Sequence, residues 1–559
     1  MSLRTPSFFT RHAHLSTLLL IAGFFLAQYP FLNATYRFHY DEKYYTDAAI
    51  RMLRHGDILV PHYPDDSLRL RKPILTYWAI LGAWKLGGVS YAAARTGMLL
   101  AMVGVMAATY QFATSVFGRR KAGLVAVALL FSDYEVFTAS WRLNPDALLA
   151  LWVTLSLLGF ALHTFSLRGS SKGLLLGYFG AGLAIATKGF LGVAAVLYGI
   201  AFSNWGSSHL PGTRKRTGVH LLGAILALVI GGAWYAAMVL KFGPASLTDF
   251  FRDQAGMQPG GAGLVGIAGH PLRYVLTTFG DFLPAFLFIL IGIRVAPQRL
   301  KGFCQQNRRQ ILFALGWFVF VFLVFALGRV FRPRYLLPGH PLLAALFGGA
   351  ILTILEAPNM RAAVERCRAW GLAVAVTFGI VVGLIGLRFD PRFPLAGATI
   401  VATTLLLWKV PRSAIAVVIG MCLWIFGVLW SYDAFLRPIF AETPAAEFAR
   451  RLENVPEAAP VFCIDVPYRI QAQLAVLSKG RHMPRETWRQ GVDIPRDHVF
   501  ILPERRFAQL PVNRYRKEAV AYTYRHPDLE LFADSWRGKN RDALLAEHRR
   551  TFVLALPVN

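Results

Sequence analysis

Long apolar segments recur from the N-terminus to about residue 431, and they constrain the fold more than any other feature. A helix that crosses a bilayer needs about 20 mostly apolar residues. Only 16% of the residues are charged, whereas soluble domains carry about 25%. The sequence therefore predicts a polytopic α-helical membrane protein with about 13 transmembrane helices, near residues 14–32, 91–117, 122–140, 146–167, 173–187, 189–205, 218–240, 273–293, 311–328, 335–355, 371–387, 395–409 and 413–431.

One long apolar run, residues 173–205, is predicted to contain two helices rather than one. At about 1.5 Å per residue a single helix would be about 50 Å long, well beyond the roughly 30 Å of a bilayer core. Lys188 and Gly189 interrupt the run near its middle. We therefore predict two short helices that join at this Lys-Gly pair.

The charges of the loops support this count. With the N-terminus in the cytoplasm, basic clusters fall on the cytoplasmic side, as the positive-inside rule expects; they lie at 118–121, 212–216, 294–310, 361–368 and 409–412. These loops account for much of the net charge of +28, so the charge does not require that the protein binds nucleic acid. Other basic residues can contact anionic lipids. Because successive loops alternate between the two sides of the membrane, a second set of loops is placed on the outer side. These loops are at 33–90, 141–146, 187–189, 241–272 and 328–335.

The chain beyond the last apolar segment is more polar, which indicates a separate domain. Its short apolar runs "PVFCID", "HVFILP" and "TFVLAL" are typical of β-strands, with helical stretches between them. We predict a transmembrane domain at 1–431 and a small extracytoplasmic α/β domain at 432–559. The cysteines show no metal-binding spacing and are expected to be packing residues; they are Cys304, Cys367, Cys422 and Cys463.

An acidic stretch, "FHYDEKYYTDAAIRML" (38–53), follows the first apolar segment. Tyr45 and the apolar residues that follow it have helical spacing, so a short amphipathic helix is predicted to start at Asp41 and to lie in the membrane interface. Asp41 and Glu42 fit an N-cap and a first-turn acid. A catalytic role for the two acids, with Tyr44 and Tyr45 binding substrate, is the functional alternative.

Cations gather on the predicted outer face. Arg71 and Lys72 precede a second interfacial helix, where long cations can also simply reach for the interface. Their location runs against the positive-inside trend and favours anion binding. Lys188 lies at a predicted outer turn, and "GRVFRPRY" (328–335) brings further candidates for binding a phosphate or diphosphate: Arg332, Arg334 and Tyr335.

Acids lie on the same face. Asp146 opens a helix four residues after Arg142, where it fits either a first-turn acid or a functional group. Arg142 is itself a candidate for binding substrate. Asp133, Glu135 and Asp281 lie within or near apolar segments, where an acid usually faces a cavity or pairs with a cation. His270 is either structural or a substrate ligand. The carboxylates and His270 leave a divalent cation possible, although no ligand spacing demands one.

These residues predict attack by an acceptor on an anionic, lipid-linked donor. One carboxylate would orient or deprotonate the acceptor, and the cations would stabilise negative charge on a phosphate leaving group. A transporter or flippase of lipid-linked sugars would also use intramembrane charges, but we find no convincing internal repeat. A polymerase or ligase of lipid-linked glycans is a third possibility.

Five motifs, in order, resemble one known family. "YDEKYYTDAAIRML", "RKPILTYW", "RLNPDALLALW", "TKG" and "RPRYLLP" are similar to GT-C glycosyltransferases of the protein O-mannosyltransferase and lipid A aminoarabinose transferase type, over roughly residues 15–355. The resemblance implies inverting transfer from a polyprenyl-phosphate sugar. It implies Asp41 as the catalytic carboxylate with Glu42 beside it, Asp146 as a second important acid, and contacts to donor phosphate or an anionic acceptor from Lys72, Lys188, Arg332 and Arg334.

The chain departs from the family pattern at two positions. Arg71 stands where an acidic residue is usual, and Ile74 replaces the second proline of the usual Lys-Pro-Pro. Because a cation at position 71 disfavours an aminosugar, the sugar stays open. Lipid A, another outer-leaflet glycolipid or a protein Ser/Thr can be the acceptor. We expect a monomer in the bacterial inner membrane, with the site and the C-terminal domain in the periplasm and no certain cofactor.

Overall fold

The computed structural model describes residues 12–165, 170–207, 217–254, 268–387, 390–408, 413–441, 443–457, 459–484, 498–508, 510–511, 513–524 and 549–558. The predicted basic clusters at 212–216 and 409–412 lie outside these residues. The described part comprises a large helical region, which holds the main apolar core, followed by a small sheet with its own core.

The helices of the N-terminal region are named in chain order: α1 Ala13–Gln28, α2 Glu42–His55, α3 Leu75–Gly87, α4 Tyr91–Phe117, α5 Arg120–Phe131, α6 Tyr134–Ala139, α7 Pro145–Thr164, α8 Ser171–Lys188, α9 Phe190–Ser207, α10 Thr217–Phe242, α11 Thr248–Gln254, α12 His270–Asp281, α13 Leu283–Val295, α14 Pro297–Gln306, α15 Arg308–Ala326, α16 His340–Leu355, α17 Met360–Gly386, α18 Arg392–Trp408 and α19 Ala414–Ser431. Short 3₁₀ turns lie at Tyr29–Phe31, Thr35–Arg37, Pro244–Leu247 and Pro333–Gly339.

Each predicted transmembrane segment contains a helix, but several are shorter or broken. The segment 122–140 is interrupted at Ser132 and Asp133, and 273–293 bends by 87° between α12 and α13. Within the described residues, eight helices are long and apolar enough to cross a membrane, or nine if the bent pair is one span. The finding supports a polytopic membrane protein, and the count of thirteen stays a prediction.

The predicted break at Lys188-Gly189 is present between α8 and α9. Gly189 has a φ of +81°, a left-handed conformation that glycine adopts without a steric penalty. Close packing of α7 on α8 also depends on glycine, because a Cβ atom on Gly159 would lie 2.4 Å from the backbone nitrogen of Gly177. The sequence thereby fixes the end of α8, which carries Lys188, against the helix that carries Asp146.

The amphipathic helix of the first loop is present as α2, and its first residue is Glu42. Tyr45, Ala48 and Met52 are buried, as the spacing predicts, whereas Leu53 is exposed. Gly56 ends α2 in the left-handed conformation. One face of α2 is thus packed into the protein, with its first turn beside the charged residues described below.

The C-terminal part contains helices and a four-stranded sheet. Strands β1 Val461–Cys463, β2 Val499–Pro503, β3 Tyr515–Tyr524 and β4 Arg549–Pro557 have the order β1-β2-β4-β3, with β1 parallel to β2 and the other pairs antiparallel. The helices are α20 Arg437–Ala441, α21 Ala445–Leu452, α22 Tyr468–Leu477 and α23 Glu504–Phe507.

The predicted domain boundary at residue 432 stays a prediction, and the helical structure continues across it. α19 continues through a π-helical turn, Tyr432–Leu436, directly into α20, so residue 432 lies inside a helical segment. Asp433 lies next to that boundary. In the fold it is buried, at 2.5 Å from Arg37 and 3.1 Å from Arg437.

Candidate active site

Four charged side chains from distant parts of the chain form one continuous network. Asp41 forms an ion pair with Arg334. Nε of Arg334 lies 2.8 Å from Asp146, and Nζ of Lys188 lies 2.6 Å from the other oxygen of Asp146. All four residues are site candidates by their sequence context, and the fold brings them together.

Local structure explains where each group lies. Asn144 caps α7 by accepting the amide of Asp146, and Pro145 occupies the first helical position, which suits its missing N–H. Lys188 is the last residue of α8, next to Gly189. Asp41 precedes α2, but its side chain accepts no capping hydrogen bond from the helix. Its carboxylate pairs with Arg334 instead.

The two carboxylates of the network differ in accessibility. The side chain of Asp41 is 28% exposed, whereas that of Asp146 is 5% exposed and contacts two cations. A group that exchanges a proton with an acceptor must be reachable from outside. Asp41 therefore meets the geometric requirement of a base, and Asp146 is placed to hold Lys188 and Arg334.

His39 joins the network although its sequence position gave no reason to name it. Its Nδ1 is 3.2 Å from the Asp41 amide nitrogen, and its Nε2 is 3.3 Å from Arg334. Burial, with further contributions from Arg142 and Arg334, lowers the pKa of His39 to about 2. His39 is therefore neutral near pH 7 and adds no charge beside Asp41.

Other predicted substrate ligands surround the same network. The ring of Tyr335 lies 4.1 Å from Nζ of Lys188 and 5.6 Å from the guanidinium of Arg334, and Lys72 is among the charges that act on its phenol. Arg71 and Arg332 are both exposed. The cations thus occur in two sets, one held in the ion-pair network and one presented to the surroundings.

Glu42 occupies a different environment from its neighbour. It is completely buried, and its carboxylate accepts hydrogen bonds from Arg95 at 2.8 Å and from the Leu143 amide at 3.2 Å. Burial raises the pKa of Glu42. The predicted catalytic role does not fit this burial, and we assign Glu42 a positioning role that holds α2 against α4.

The two tyrosines of α2 also differ. Tyr45 is 4% exposed and packs on Tyr77, so the prediction that it binds substrate does not fit its burial. Tyr44 is half-buried, and its carbonyl accepts a hydrogen bond from Arg69. Burial and a hydrogen bond with Tyr40 raise the pKa of Tyr44 to about 12, so its phenol stays neutral and can contact a substrate.

His270 and Arg142 each contact a neighbouring segment of the chain in this structure. His270 is 3% exposed and bonds the Gly328 carbonyl at 2.9 Å, while Tyr274 bonds the backbone of Arg332. Arg142 lies 3.2 Å from Glu135. The role of His270 in binding substrate or a metal stays a prediction, and in the fold its ring holds the loop that leads into the Pro333–Gly339 turn.

The C-terminal part reaches the first loop through α22, which packs on α2. The hydroxyl of Tyr468 donates to Asp47 at 2.9 Å, and its ring lies 5.7 Å from that of Tyr44. Burial raises the pKa of Asp47. No local sequence pattern predicts this contact, because its partners are more than 400 positions apart.

The chain is similar in sequence to several known proteins. The sequence profile of the dolichyl-phosphate-mannose-protein mannosyltransferase family matches residues 7–241. An undecaprenyl phosphate-α-4-amino-4-deoxy-L-arabinose arabinosyl transferase of Edwardsiella ictaluri is 28% identical over 331 residues, which are 56% of this chain and 55% of the relative. An uncharacterized protein of Aquifex aeolicus is 25% identical over 313 residues, 55% of this chain and 58% of the relative.

A solved structure matches nearly the whole chain. ArnT from Cupriavidus metallidurans, bound to undecaprenyl phosphate, superposes with a TM-score of 0.67 at 17% identity and covers 96% of this chain and 97% of the other. The fold is therefore that of a polytopic GT-C membrane protein. Within that class, the chain resembles the O-mannosyltransferase and ArnT type, although it spans little more than half the length of the first curated relatives.

Proposed function

We propose that the protein is a membrane glycosyltransferase that moves a sugar, with inversion, from a polyprenyl-phosphate donor to an outer-leaflet acceptor such as lipid A. The observation that carries the proposal is the accessible Asp41 carboxylate within a cluster of cations. The arabinosyl transferase relatives are named for an undecaprenyl-phosphate sugar. That naming supports the donor class.

In the proposed reaction, Asp41 takes the proton from the acceptor hydroxyl. At the same time, the oxygen of that hydroxyl forms a bond with the anomeric carbon of the donor sugar. The bond from that carbon to the phosphate oxygen breaks, and the electron pair leaves with the polyprenyl phosphate. Attack from the face opposite the phosphate inverts the anomeric centre. General-base catalysis of this kind typically contributes 10²–10⁴-fold.

Arg334 couples donor binding to the activation of the base. Arg334 pairs with Asp41, so a cation engages the carboxylate. A donor phosphate offers Arg334 a more highly charged partner, and guanidinium groups bind phosphate through two parallel hydrogen bonds. Transfer of Arg334 from Asp41 to the phosphate would free Asp41 for the acceptor only when donor is present.

Asp146 and Lys188 complete the donor site in this proposal. Asp146 holds Lys188 and Arg334 at 2.6 and 2.8 Å, which fixes two positive charges before the donor arrives. Preorganised cations stabilise charge that develops on a leaving phosphate without reorganisation. Lys72, Arg332 and the exposed Arg71 would contact the donor phosphate or the anionic acceptor at the mouth of the site.

The sugar and the acceptor are the finer parts of the proposal. The relatives' names favour aminoarabinose, whereas Arg71 places an exposed cation where the ArnT-type pattern has an acid. We propose a glycolipid acceptor and a protein Ser/Thr as the alternative. We also propose a monomer in the bacterial inner membrane, with a cytoplasmic N-terminus and with the site and the C-terminal domain in the periplasm.

Reconstituted transfer tests the proposal. Purified protein in proteoliposomes receives undecaprenyl-phosphate aminoarabinose, or the corresponding hexose donor, together with lipid A. We expect a mass increase of lipid A by one sugar and release of undecaprenyl phosphate. Movement of donor across the vesicle membrane without any transfer product would instead support a flippase. Mass spectrometry of lipid A and surface glycans from cells with and without the gene identifies the natural acceptor.

A further inference from the structure

Three buried side chains outside the proposed reaction meet where the helices break. Asp133 lies between α5 and α6, Asp281 is the last residue of α12 at the 87° bend, and His340 is the first residue of α16. All three are at most 5% exposed. One ring nitrogen of His340 and one oxygen of each carboxylate lie within 4.8 Å of one another.

The hydrogen bonds within this group leave two polar atoms unsatisfied. One oxygen of Asp133 accepts the amides of Glu135 and Val136 at 2.8 and 3.1 Å, and its other oxygen lies 2.7 Å from Nδ1 of His340. Nε2 of His340 and Oδ2 of Asp281 are buried and have no hydrogen-bond partner within the described residues. A buried acceptor without a partner has lost its hydrogen bonds to water and gained none in return, so both atoms require a ligand.

The charges of the group point to a cation. Asp133 and Asp281 bring two carboxylates, and the nearby Glu135 is already paired with Arg142 at 3.2 Å. Within the described residues, the one basic side chain that contacts Asp133 is His340, through a hydrogen bond, and no cation is paired with Asp281. Buried carboxylates are costly unless they are paired or coordinate a metal. A bound cation satisfies the charge and the open acceptors together.

We propose that Asp133, Asp281 and His340 bind a divalent first-row transition-metal ion, with Zn²⁺ or Mn²⁺ as the fitting class. Imidazole nitrogen favours such ions, whereas Mg²⁺ and Ca²⁺ favour sets composed of oxygen alone. Three protein ligands of nitrogen and oxygen are a common set for zinc, with water completing the shell. The Asp133 contacts to backbone amides would orient that ligand from behind.

The ion's place in the fold gives it a structural role next to the candidate active site. It would join the break before α6, the bend after α12 and the start of α16. α16 follows directly on the Pro333–Gly339 turn that carries Arg334 and Tyr335. The ion would thus fix the position of that turn, and this proposal does not depend on the sugar-transfer reaction.

Metal analysis of the full-length protein tests the site. The protein is purified through a peptide tag without histidines, and its zinc and manganese contents are measured by mass spectrometry. We expect about one equivalent of one of these metals per chain, and at least a tenfold loss in His340→Gln and Asp281→Asn. The matched control is His220→Gln, because His220 is a buried histidine that bonds Tyr178 instead. Equal metal content in wild type and both site variants would overturn the proposal.

X-ray absorption of wild-type protein keeps the test independent of variant folding. We expect nitrogen and oxygen scatterers at about 2.0–2.2 Å with an imidazole contribution, and no sulfur at about 2.3 Å. Sulfur scattering would place the metal on a cysteine such as the exposed Cys304 and contradict the assignment. Protein that is metal-free as isolated and takes up neither Zn²⁺ nor Mn²⁺ in titration would also refute it.

Discussion

The buried pair of Glu42 and Arg95 makes a sharp prediction about which of the two adjacent acids supports the fold. Both side chains are fully buried and lie 2.8 Å apart, and Arg95 also donates to the carbonyls of Leu32 and Ala34 at 2.9 and 2.7 Å. Glu42→Gln leaves Arg95 charged, buried and without its anion. Removal of one partner from a buried pair typically costs 3–5 kcal/mol.

We therefore expect Glu42→Gln to lower the melting temperature in detergent far more than Asp41→Asn, since Asp41 is partly exposed. Arg95→Gln should destabilise at least as strongly, because it also leaves two carbonyl groups without their donor. The double variant, Glu42→Gln with Arg95→Gln, should recover part of the lost stability, because no unpaired charge remains. A double-mutant cycle measures the coupling between the two residues. Equal melting temperatures for Glu42→Gln and Asp41→Asn would refute the assignment of Glu42 as a positioning residue.

Three further predictions concern the surroundings of the network. Lys188→Met should reduce transfer at least tenfold and weaken donor binding, because Asp146 loses one of its two cation partners and the donor phosphate loses a contact; unchanged kinetics would contradict this. His39 has its pKa lowered in the fold, so the unfolded state binds more protons below pH 6.5 and stability should fall with acidification, by up to about 1.4 kcal/mol per pH unit; His39→Gln should reduce that slope, measured by unfolding at pH 5 to 7. Tyr468→Phe should lower stability by about 1 kcal/mol, because Asp47 loses a hydrogen bond; a change in transfer at unchanged stability would instead indicate a direct role in the reaction.

The features that sequence analysis predicted well are those fixed by local pattern. The period of apolar residues located α2 and placed Asp41 at its start, and the length of the 173–205 run required a break at Lys188-Gly189. Both follow from a short window of sequence. The four members of the charged network were each visible as a charged residue in an apolar or outer-face context.

Features that depend on long-range partners were not predictable in the same way. Asp41 and Glu42 are adjacent, yet one meets Arg334 and the other meets Arg95; no local signal tells these environments apart. The apolar character of 122–140 and 273–293 hid the breaks at Ser132 and Phe282, since hydropathy does not register a bend. His39 lacked any signal, because its role arises only where Asp41 and Arg334 meet.

The most direct test of the central claim compares Asp41→Asn with Asp66→Asn in reconstituted transfer under single-turnover conditions. Asp66 is an exposed acid of the same loop with a φ of +61°, a conformation that asparagine tolerates. We predict that Asp41→Asn lowers the transfer rate by 10²–10⁴-fold while folding and donor binding are retained, and that Asp66→Asn transfers at the wild-type rate. Near-normal turnover by folded Asp41→Asn would contradict the account.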